Sequence, residues 1–296
     1  MEEIICNLCG EGDEQELYRS PRYRAVICRN CSLAYLNPRL TREEYTKYYT
    51  EEYQKNRHNV ATYNGAVIRL KQKGSYEKKK VFFPFIGEYL TSKSRVLEIG
   101  SGWGTLLKVI KDTYGSDVYG AEISSQAVEI SRRLYGINTE NKTLEVFCAE
   151  NNAKRFDFII MYHVLEHILD PLSALASIRP MLGEKGALYL GVPNLSAPYG
   201  DLSEFFRIEH CYYFTLETLG KILNKSGFKL IKVKKTPTDL QVIAVPDNDF
   251  RRNSVEIHTR HYSLSHLLRV IWFCRLRDHV KNILRPLKWK LEKWFL

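Results

Sequence analysis

The sequence predicts an α/β fold with an open, mainly parallel sheet, preceded by a small cysteine module and followed by a basic helix. Three observations support this prediction. A β-branched run at residues 96–99 ends in a glycine cluster, and a helical apolar pattern follows at once. Two C-x-x-C pairs lie within the first 31 residues. From Ser263 onward, apolar and basic residues are interspersed at helical spacing.

Length and composition bound the possible classes of protein. With 296 residues, 44% of them hydrophobic, the chain can bury a sizeable core. It has no apolar run of about 18 residues, so we expect no membrane-spanning helix. The acidic start at residues 1–4 is unlike a secretory signal. Seven cysteines, four of them in C-x-x-C pairs, favour a reducing compartment, and we expect a cytoplasmic protein.

The net charge of +10 is unevenly distributed along the chain. Residues 251–296 contain 11 Lys and Arg against 3 Asp and Glu, which gives +8. The first 250 residues contain 33 basic and 31 acidic residues, which gives +2. The body is therefore nearly neutral, and the basic character belongs to a tail.

The N-terminal cysteines have the spacing of a metal site. Cys6 and Cys9 form one C-x-x-C pair, Cys28 and Cys31 form the other, and 18 residues separate the pairs. Four thiolates at this spacing can surround Zn²⁺ tetrahedrally, and no coordination position is left open for a substrate. We therefore predict a structural zinc ribbon, with a redox or iron–sulfur role as the alternative.

A helical linker is predicted between the ribbon and the sheet. After the step Asn37-Pro38-Arg39, Thr41 and Glu44 form a capping-box pattern that begins a helix. Four tyrosines at helical spacing either cover a polar pocket or pack the linker against the ribbon: Tyr45, Tyr48, Tyr49 and Tyr53. Residues 60–93 have the composition of a basic helix whose lysines, among them Lys79, form a solvated face.

The glycine cluster has the features of a nucleoside site. Gly100, Gly102 and Gly104 give G-x-G-x-G, which differs from the dinucleotide spacing G-x-G-x-x-G. Glu98 precedes the cluster, and Glu122 ends the next predicted strand about twenty residues later. An acid in that place can accept both ribose hydroxyls of an adenosine. A buried glycine turn without a nucleoside is the alternative.

Further elements follow at regular intervals. Ser124 caps a helix, and residues 146–150 are interpreted as the third strand and its exit. Asp170-Pro171 is an N-cap with proline at the first helical position, and Gly183 is expected to end that helix.

Over about residues 80–245, the sequence resembles the class I S-adenosylmethionine-dependent methyltransferases. Residues 98–104 resemble the first motif of that family, and Glu122 matches its ribose-binding acid. Residues 155–171 resemble the fourth strand and its following helix, 186–194 the fifth strand, and 209–228 the entry to the last helix and strand pair.

The resemblance implies a Rossmann-like, seven-stranded methyltransferase sheet with its last strand antiparallel. It also implies S-adenosylmethionine as the cofactor. The implied cofactor-binding residues are Glu98, Gly100, Gly102, Gly104, Glu122, Ile123, Ala149, Glu150 and Tyr162. Ala149 and Glu150 enter this set as adenine contacts, on the assumption that they lie at the exit of the third strand.

The catalytic candidates are three polar residues on the acceptor side. Ligands of open parallel sheets lie beyond the carboxyl ends of the strands, which places His163 near the reacting centre; a structural role is its alternative. His167 is expected to pack. Glu209 and His210 form the acid/base candidate, because a carboxylate can set the tautomer and pKa of an imidazole.

A narrower resemblance links the chain to methyltransferases of sugar and polysaccharide pathways. It rests on the ribbon, the Asn-Pro-Arg step, the tyrosine-rich helix and the Glu-His pair, and it implies that His210 is a general base. Arg207 and Ile208 depart from the pattern around that pair, and the further C-terminal domain of such enzymes is absent from this sequence. A sugar hydroxyl and a sugar carbon therefore both remain possible acceptors.

The predicted domains are a zinc ribbon (1–40), a helical linker (41–93), a methyltransferase domain (94–250) and a basic amphipathic tail (251–296). The tail, in which Pro286 is expected to kink or split the helix, fits an anionic membrane surface, packing on protein, or nucleic acid. The first functional hypothesis is methylation of a carbohydrate or nucleotide-linked sugar, in the cytoplasm or at the inner face of its membrane. The alternatives are an RNA base methyltransferase and a non-catalytic scaffold of the same fold.

Overall fold

The computed structural model describes residues 1–49, 79–247 and 264–294, with the side chains of 265–281 in the last range. The strands are β1 (Glu14–Arg19), β2 (Arg24–Cys28), β3 (Ala34–Leu36), β4 (Arg95–Ile99), β5 (Asp117–Glu122), β6 (Asn138–Asn141), β7 (Phe156–Tyr162), β8 (Leu182–Pro193), β9 (Tyr212–Tyr213), β10 (Phe228–Lys235) and β11 (Asp239–Pro246). The α-helices are α1 (Arg42–Lys47), α2 (Phe83–Ile86), α3 (Thr105–Tyr114), α4 (Ser125–Tyr135), α5 (Leu144–Glu150), α6 (Pro171–Ile178), α7 (Leu202–Phe205), α8 (Leu216–Lys225) and α9 (Leu264–Trp294).

Seven strands form the central sheet in the order β10-β11-β8-β7-β4-β5-β6. β4 to β8 pair in parallel in the middle and at one edge, whereas β11 pairs antiparallel with both β8 and β10. The last strand of the chain is therefore the antiparallel one, and the predicted seven-stranded methyltransferase sheet is confirmed. The carboxyl ends of β4, β5 and β7 meet at one edge, where ligands of open α/β sheets bind.

The sheet is covered on both faces, which explains why its middle strands are almost continuously apolar. On β7, Phe158 and Ile160 pack with residues of α2 and α3, whereas Ile159 and Met161 face the side of α5, α6 and α8. All four of these side chains are fully buried. Each buried side chain of this size contributes about 1.5–3 kcal/mol to folding, so this strand anchors the site at its carboxyl end.

The cysteine module shares a sheet with the central domain. β1, β2 and β3 form an antiparallel meander, and β9 adds a fourth strand through the pairs Ala34–Tyr213 and Tyr35–Tyr212. Because β9 begins two residues after His210, the ribbon and the acceptor-side segment are bound together. The boundaries predicted at residues 40, 93 and 250 remain predictions, and residues 50–78, which include Tyr53, lie outside the described part.

The third strand was assigned wrongly from the sequence. Residues 146–150 belong to the helix α5, and the strand is β6, Asn138–Asn141. Thr143 caps α5 by accepting a hydrogen bond from the Val146 amide, and the apolar residues recur at helical spacing. The polar composition of β6, which lies at a sheet edge, carries no alternating apolar signal. Gly183 likewise lies within β8, because α6 ends at Ile178.

Helix caps were predicted more successfully. The capping box of Thr41 and Glu44 is formed, and the Ser124 side chain accepts from the Ala127 amide. Asp170 accepts from the Ser173 amide with Pro171 at the first helical position. α9 is not split at Pro286, since the helix continues to Trp294, and the kink named as the other outcome stays a prediction. Within the described residues, no helix combines the length and the apolar character needed to cross a membrane.

Candidate cofactor and acceptor site

The turn between β4 and α3 leaves room for a ligand. Gly100, Gly102 and Gly104 all have positive φ, a region that side chains disfavour. A Cβ on Gly102 would meet nothing within 4 Å, so this point of the turn faces open space. A Cβ on Gly100 would lie 2.5 Å from Val164 Cγ2, which shows that the loop after β7 lies directly against the turn. The predicted strand, tight turn and helix are thus confirmed.

Glu122 is held by the main chain at the end of β5. Its Oε2 accepts the Gly102 amide at 2.8 Å, and its Oε1 accepts the Ser124 amide at 2.9 Å. Burial raises the pKa of this carboxyl, and the two amide hydrogen bonds oppose that effect. Each oxygen keeps further acceptor capacity beyond these bonds, so the orientated carboxylate can accept the two hydroxyls of a ribose.

Glu98 lies beneath the glycine turn, 6% exposed, and its Oε2 has no hydrogen-bond partner among the described residues. Burial raises the pKa of this carboxyl to about 8, and Lys79 opposes the shift. The Lys79 ammonium lies 5.6 Å and 5.5 Å from the ring centroids of Phe82 and Tyr162, and burial lowers its pKa. Among the lysines predicted to form a solvated face, Lys80 is exposed, whereas Lys79 is half-buried, and no local signal in the sequence marks the difference.

His163 lies between two carboxylates. Its Nδ1 is 3.0 Å from Glu166 Oε1, its Nε2 is 3.4 Å from Asp239 Oδ1, and Asp239 Oδ2 accepts the Tyr162 hydroxyl at 3.0 Å. Burial alone would lower the pKa of His163, but the two carboxylates outweigh it and raise the pKa to about 9. At neutral pH the ring is therefore a cationic donor and not a base. Its φ of 54° is a strained value for a non-glycine residue.

His167 and His210 meet beside Glu166. The two imidazole rings are 4.7 Å apart at an interplanar angle of 80°, and one ligand atom from each of the three residues lies within 4.8 Å of the others. His210 is 2% exposed. The acid that the fold brings to His210 is thus Glu166, 44 positions earlier in the chain. The Glu209 carboxylate lies 3.9 Å from the Arg207 guanidinium.

The tautomer of His167 follows from its partner. Its Nδ1 lies 2.9 Å from the main-chain oxygen of Glu209, which can only accept, and 2.7 Å from the Tyr49 hydroxyl; the carbonyl therefore favours a proton on Nδ1, with the Tyr49 oxygen as a second acceptor. In the neutral ring the lone pair is then on Nε2, which is 3.8 Å from Glu166 Oε1. These groups can relay a proton, and their spacing would also accept a cation.

Two linker tyrosines reach this cluster. The Tyr49 hydroxyl is 2.7 Å from His167 Nδ1, and the Tyr45 hydroxyl lies 3.2 Å from that of Tyr49 and 3.4 Å from the main-chain oxygen of Glu209. These hydroxyl contacts agree with the interpretation in which phenols cover a polar pocket, and Tyr45 also packs on the core cluster that contains ribbon residues, as the other interpretation stated.

Comparison with known proteins identifies the family. Residues 49–233, more than half of the chain, match the family model for a methyltransferase domain. A methyltransferase from Archaeoglobus fulgidus, described as SAM-dependent, has the same fold, with a TM-score of 0.50 and 19% identity over 60% of this chain and 97% of that one. The chain belongs to the class I S-adenosylmethionine-dependent methyltransferases.

The curated relatives of this methyltransferase match less than half of the chain. The ubiquinone biosynthesis O-methyltransferase of Actinobacillus pleuropneumoniae serotype 5b (strain L20) is 27% identical over 135 residues, which cover 41% of this chain and 57% of that protein. The enzyme of the same name from Histophilus somni (strain 2336) is 32% identical over 113 residues, or 36% and 47% of the two chains. The chain thus spans about half the length of these relatives.

The four ribbon thiols of the methyltransferase converge as predicted. Cys6 Sγ is 3.4 Å from Cys31 Sγ, Cys9 Sγ is 3.5 Å from Cys28 Sγ, and all four sulfurs lie within 4.8 Å of one another. These separations exceed a disulfide bond of about 2.05 Å and are close to the roughly 3.8 Å edge of a tetrahedral zinc–thiolate site. The hydrogen bond between Cys6 and Cys31 lowers the pKa of Cys6 and raises the pKa of Cys31, so the two thiols share one proton.

The remaining predicted cofactor contacts have different outcomes. Ile123, 42% exposed, directly follows Glu122 at the cradle, and its role as a cofactor contact stays a prediction. Ala149 and Glu150 lie in α5, and Glu150 Oε2 pairs with Lys142 Nζ at 2.5 Å. The reason for assigning these two residues to adenine was the strand exit, and that reason is removed. Tyr162 keeps its predicted place at the carboxyl end of β7, with Asp239 and Lys79 as neighbours that sequence reasoning missed.

The charge on His163 predicts a pH-dependent stability. A pKa raised from 6.5 to about 9 in the folded state stabilises the fold fully below pH 6.5, and this contribution is lost as the pH rises through 9. We expect wild type to lose roughly 3 kcal/mol over that window and His163→Gln to lose much less. Denaturant unfolding at several pH values measures the difference. Equal losses in both proteins would contradict the assigned charge.

Proposed function

We propose that this enzyme transfers the methyl group of S-adenosylmethionine to a carbohydrate or nucleotide-linked sugar acceptor, with His210 as the general base. The observation that carries the proposal is the buried cluster of His210, His167 and Glu166 under two tyrosine hydroxyls. Through Val164, the loop that carries Glu166 and His167 lies against the glycine turn, so the base and the cofactor cradle are neighbours.

The bound cofactor supplies an activated methyl group on a sulfonium, whose departure leaves a neutral thioether. The protein's own residues then have three tasks: to hold the cofactor, to orientate the acceptor and to remove one proton. Gly102 and Glu122 serve the first task, and the unpartnered Oε2 of Glu98 suits a cationic amino group. His210 accepts the acceptor's proton, and the Glu166 carboxylate within 4.8 Å stabilises the imidazolium that forms.

The character of the acceptor side supports a hydroxyl-rich acceptor. Tyr45, Tyr49 and His167 present hydrogen-bonding groups there, as recognition of a sugar requires. The curated relatives are O-methyltransferases by name, which supports oxygen as the methylated atom. Methylation at a sugar carbon would need the same base, and we keep it as the alternative to methylation at a sugar hydroxyl.

An acceptor survey tests the substrate class. Purified enzyme with methyl-labelled S-adenosylmethionine would be offered nucleotide-activated sugars, a catechol and total RNA in parallel. Transfer to activated sugars is expected. Transfer to RNA alone would replace the proposal by an RNA methyltransferase, transfer to the catechol alone would point to the chemistry of the curated relatives, and cofactor binding without any transfer would favour a scaffold.

His210→Gln is expected to lower kcat by about 10²–10⁴-fold and to leave the affinity for S-adenosylmethionine unchanged, because it removes the base and touches no cofactor contact. Rapid-quench rates and calorimetry measure the two quantities. His279→Gln on the exposed side of α9 is the matched control. Wild-type turnover in His210→Gln would exclude His210 as the base.

We also propose that the ribbon holds one structural Zn²⁺ through Cys6, Cys9, Cys28 and Cys31. Two pairs of thiols converge there without disulfides, and four ligands close the coordination sphere. The free state of all seven cysteines supports a reducing compartment, and we propose a cytoplasmic location.

A further inference from the structure

The first half of α9 is fixed to the body of the enzyme by its inner face. Leu267, Ile271 and Cys274 are buried in one cluster with Leu17 of the ribbon and Phe205 of α7. They recur at helical spacing and so form a single stripe. Part of the basic tail therefore packs on its own protein, as one of the sequence-level alternatives stated.

Polar contacts set the rotation of the helix about its axis. Asp278 Oδ2 accepts the Leu202 amide at 2.8 Å, and Arg275 donates to the main-chain oxygen of Leu17 at 2.5 Å. Lys281 pairs with Asp201 at 3.1 Å. The buried apolar stripe and these bonds together hold the first half of α9 in one rotational orientation about its axis. The side chains on its opposite face therefore point away from the protein.

That outer face is apolar and exposed. Trp272 and Phe273 are 58% and 62% exposed, and Leu276 and Val280 are 46% and 45% exposed. The positions i, i+1, i+4 and i+8 lie on one side of a helix. Trp272 and Phe273 contact each other edge to face at 5.1 Å between centroids. Four large side chains grouped in this way form an exposed apolar patch, and such patches mark a surface that binds a partner or a membrane.

The charge of the helix bears on what covers this face. Residues 264–294 contain eight Lys and Arg and two Asp and Glu, a net charge of +6, and three of the basic residues, Arg275, Arg277 and Lys281, bond to the body of the protein. A second copy would bring two such helices together, and their like charges would repel. Nucleic acid would match the charge but would leave Trp272, Phe273, Leu276 and Val280 without an apolar partner. An anionic lipid surface satisfies both properties, because acyl chains accept the apolar stripe and headgroups attract the basic residues.

We infer that the outer face of α9, formed by Trp272, Phe273, Leu276 and Val280, lies in the interface of an anionic lipid bilayer. The inner face holds the catalytic body against the helix, so the enzyme is peripheral to the membrane and does not need a spanning segment. In the sequence, apolar residues continue at helical spacing from Ile283 to Trp294 among further basic residues.

Vesicle flotation of the full chain tests this inference. The lipids would be phosphatidylcholine alone and phosphatidylcholine mixed with phosphatidylglycerol. Wild type is expected to float with the anionic vesicles, and less at high salt or with neutral vesicles. Trp272→Ser with Phe273→Ser is expected to weaken partitioning by about tenfold or more, because two interfacial anchors are lost. The matched control is Ile231→Ser with Val233→Ser, two exposed apolar residues of β10.

Sedimentation and cofactor binding complete the design. The affinity for S-adenosylmethionine should be the same in all three proteins, which shows that each is folded and separates this test from the proposed acceptor chemistry. Failure of wild type to bind anionic vesicles would overturn the inference, as would equal binding by the Trp272/Phe273 variant. Self-association of wild type that this variant abolishes, without vesicle binding, would assign the face to a second copy instead.

Discussion

Replacing Glu122 by alanine is expected to weaken the binding of S-adenosylmethionine by about a hundredfold or more. A ribose bound by this carboxylate donates two charge-assisted hydrogen bonds, each contributing roughly 1.5–3 kcal/mol. The substitution also removes the acceptor that orientates the Gly102 amide at the glycine turn. Isothermal titration calorimetry on wild type and variant measures the change directly, with Glu122→Gln as the version that keeps the size of the side chain.

Glu129→Ala is the control for this experiment. Glu129 lies on the exposed side of α4 and pairs with Arg133 one turn later, away from the cradle. Its loss should change the affinity little, since an exposed pair of this kind contributes only about 0.3–0.5 kcal/mol to stability. If Glu122→Ala folds, as judged by thermal unfolding, and still binds the cofactor like wild type, Glu122 is not the ribose-binding acid.

The second large effect concerns the ribbon. Cys28→Ser combined with Cys31→Ser is expected to remove the zinc and to lower the unfolding temperature by on the order of 10 °C, because a structural zinc contributes folding free energy outright. Methyl transfer should fall with it, since β3 pairs with β9, which begins two residues after His210. Binding of S-adenosylmethionine should persist, because the cradle lies on β4 and β5. Metal analysis, calorimetry and the transfer assay measure the three effects.

Cys148→Ala separates the metal from an ordinary buried thiol. Cys148 is 5% exposed in α5 and lies outside the four-cysteine cluster. This variant should keep the metal content of wild type and lose only the packing of one small side chain. A natively purified wild type without zinc would refute the ribbon assignment, and a metal-free variant with full activity would refute the link from the ribbon to the acceptor side.

The parts of the fold that were predicted correctly have local causes. The glycine turn, the capping box of Thr41 and Glu44, and the proline at the start of α6 each depend on residues within a few positions of one another. The third strand was assigned wrongly because the residues that form it carry no local pattern of their own. β6 is short and polar, so it has no period of its own, whereas Leu144, Phe147 and Cys148 carry apolar side chains that belong to a helix.

The acceptor side shows the limit of sequence reasoning most clearly. His210 was paired with its neighbour Glu209, yet Glu166 is the carboxylate that the fold brings to it. His163 was placed correctly at the end of β7, but its charge depends on Asp239, 76 positions later. That residue arrives because β11 runs antiparallel to β8, with Asp239 opposite Pro193.

The sequence by itself determined the glycine turn, the helix caps and the four-cysteine cluster, because glycine conformations, caps and thiol spacing act over short stretches of chain, whereas the seven-stranded sheet was what the family resemblance implied. Only the tertiary structure decided which acid meets which histidine, that the Lys79 ammonium lies over the ring of Tyr162, and that residues 265–281 of α9 have one face on the protein and one face exposed. Those outcomes depend on strand register and on burial, which bring together groups that are far apart in the chain and thereby set their charge.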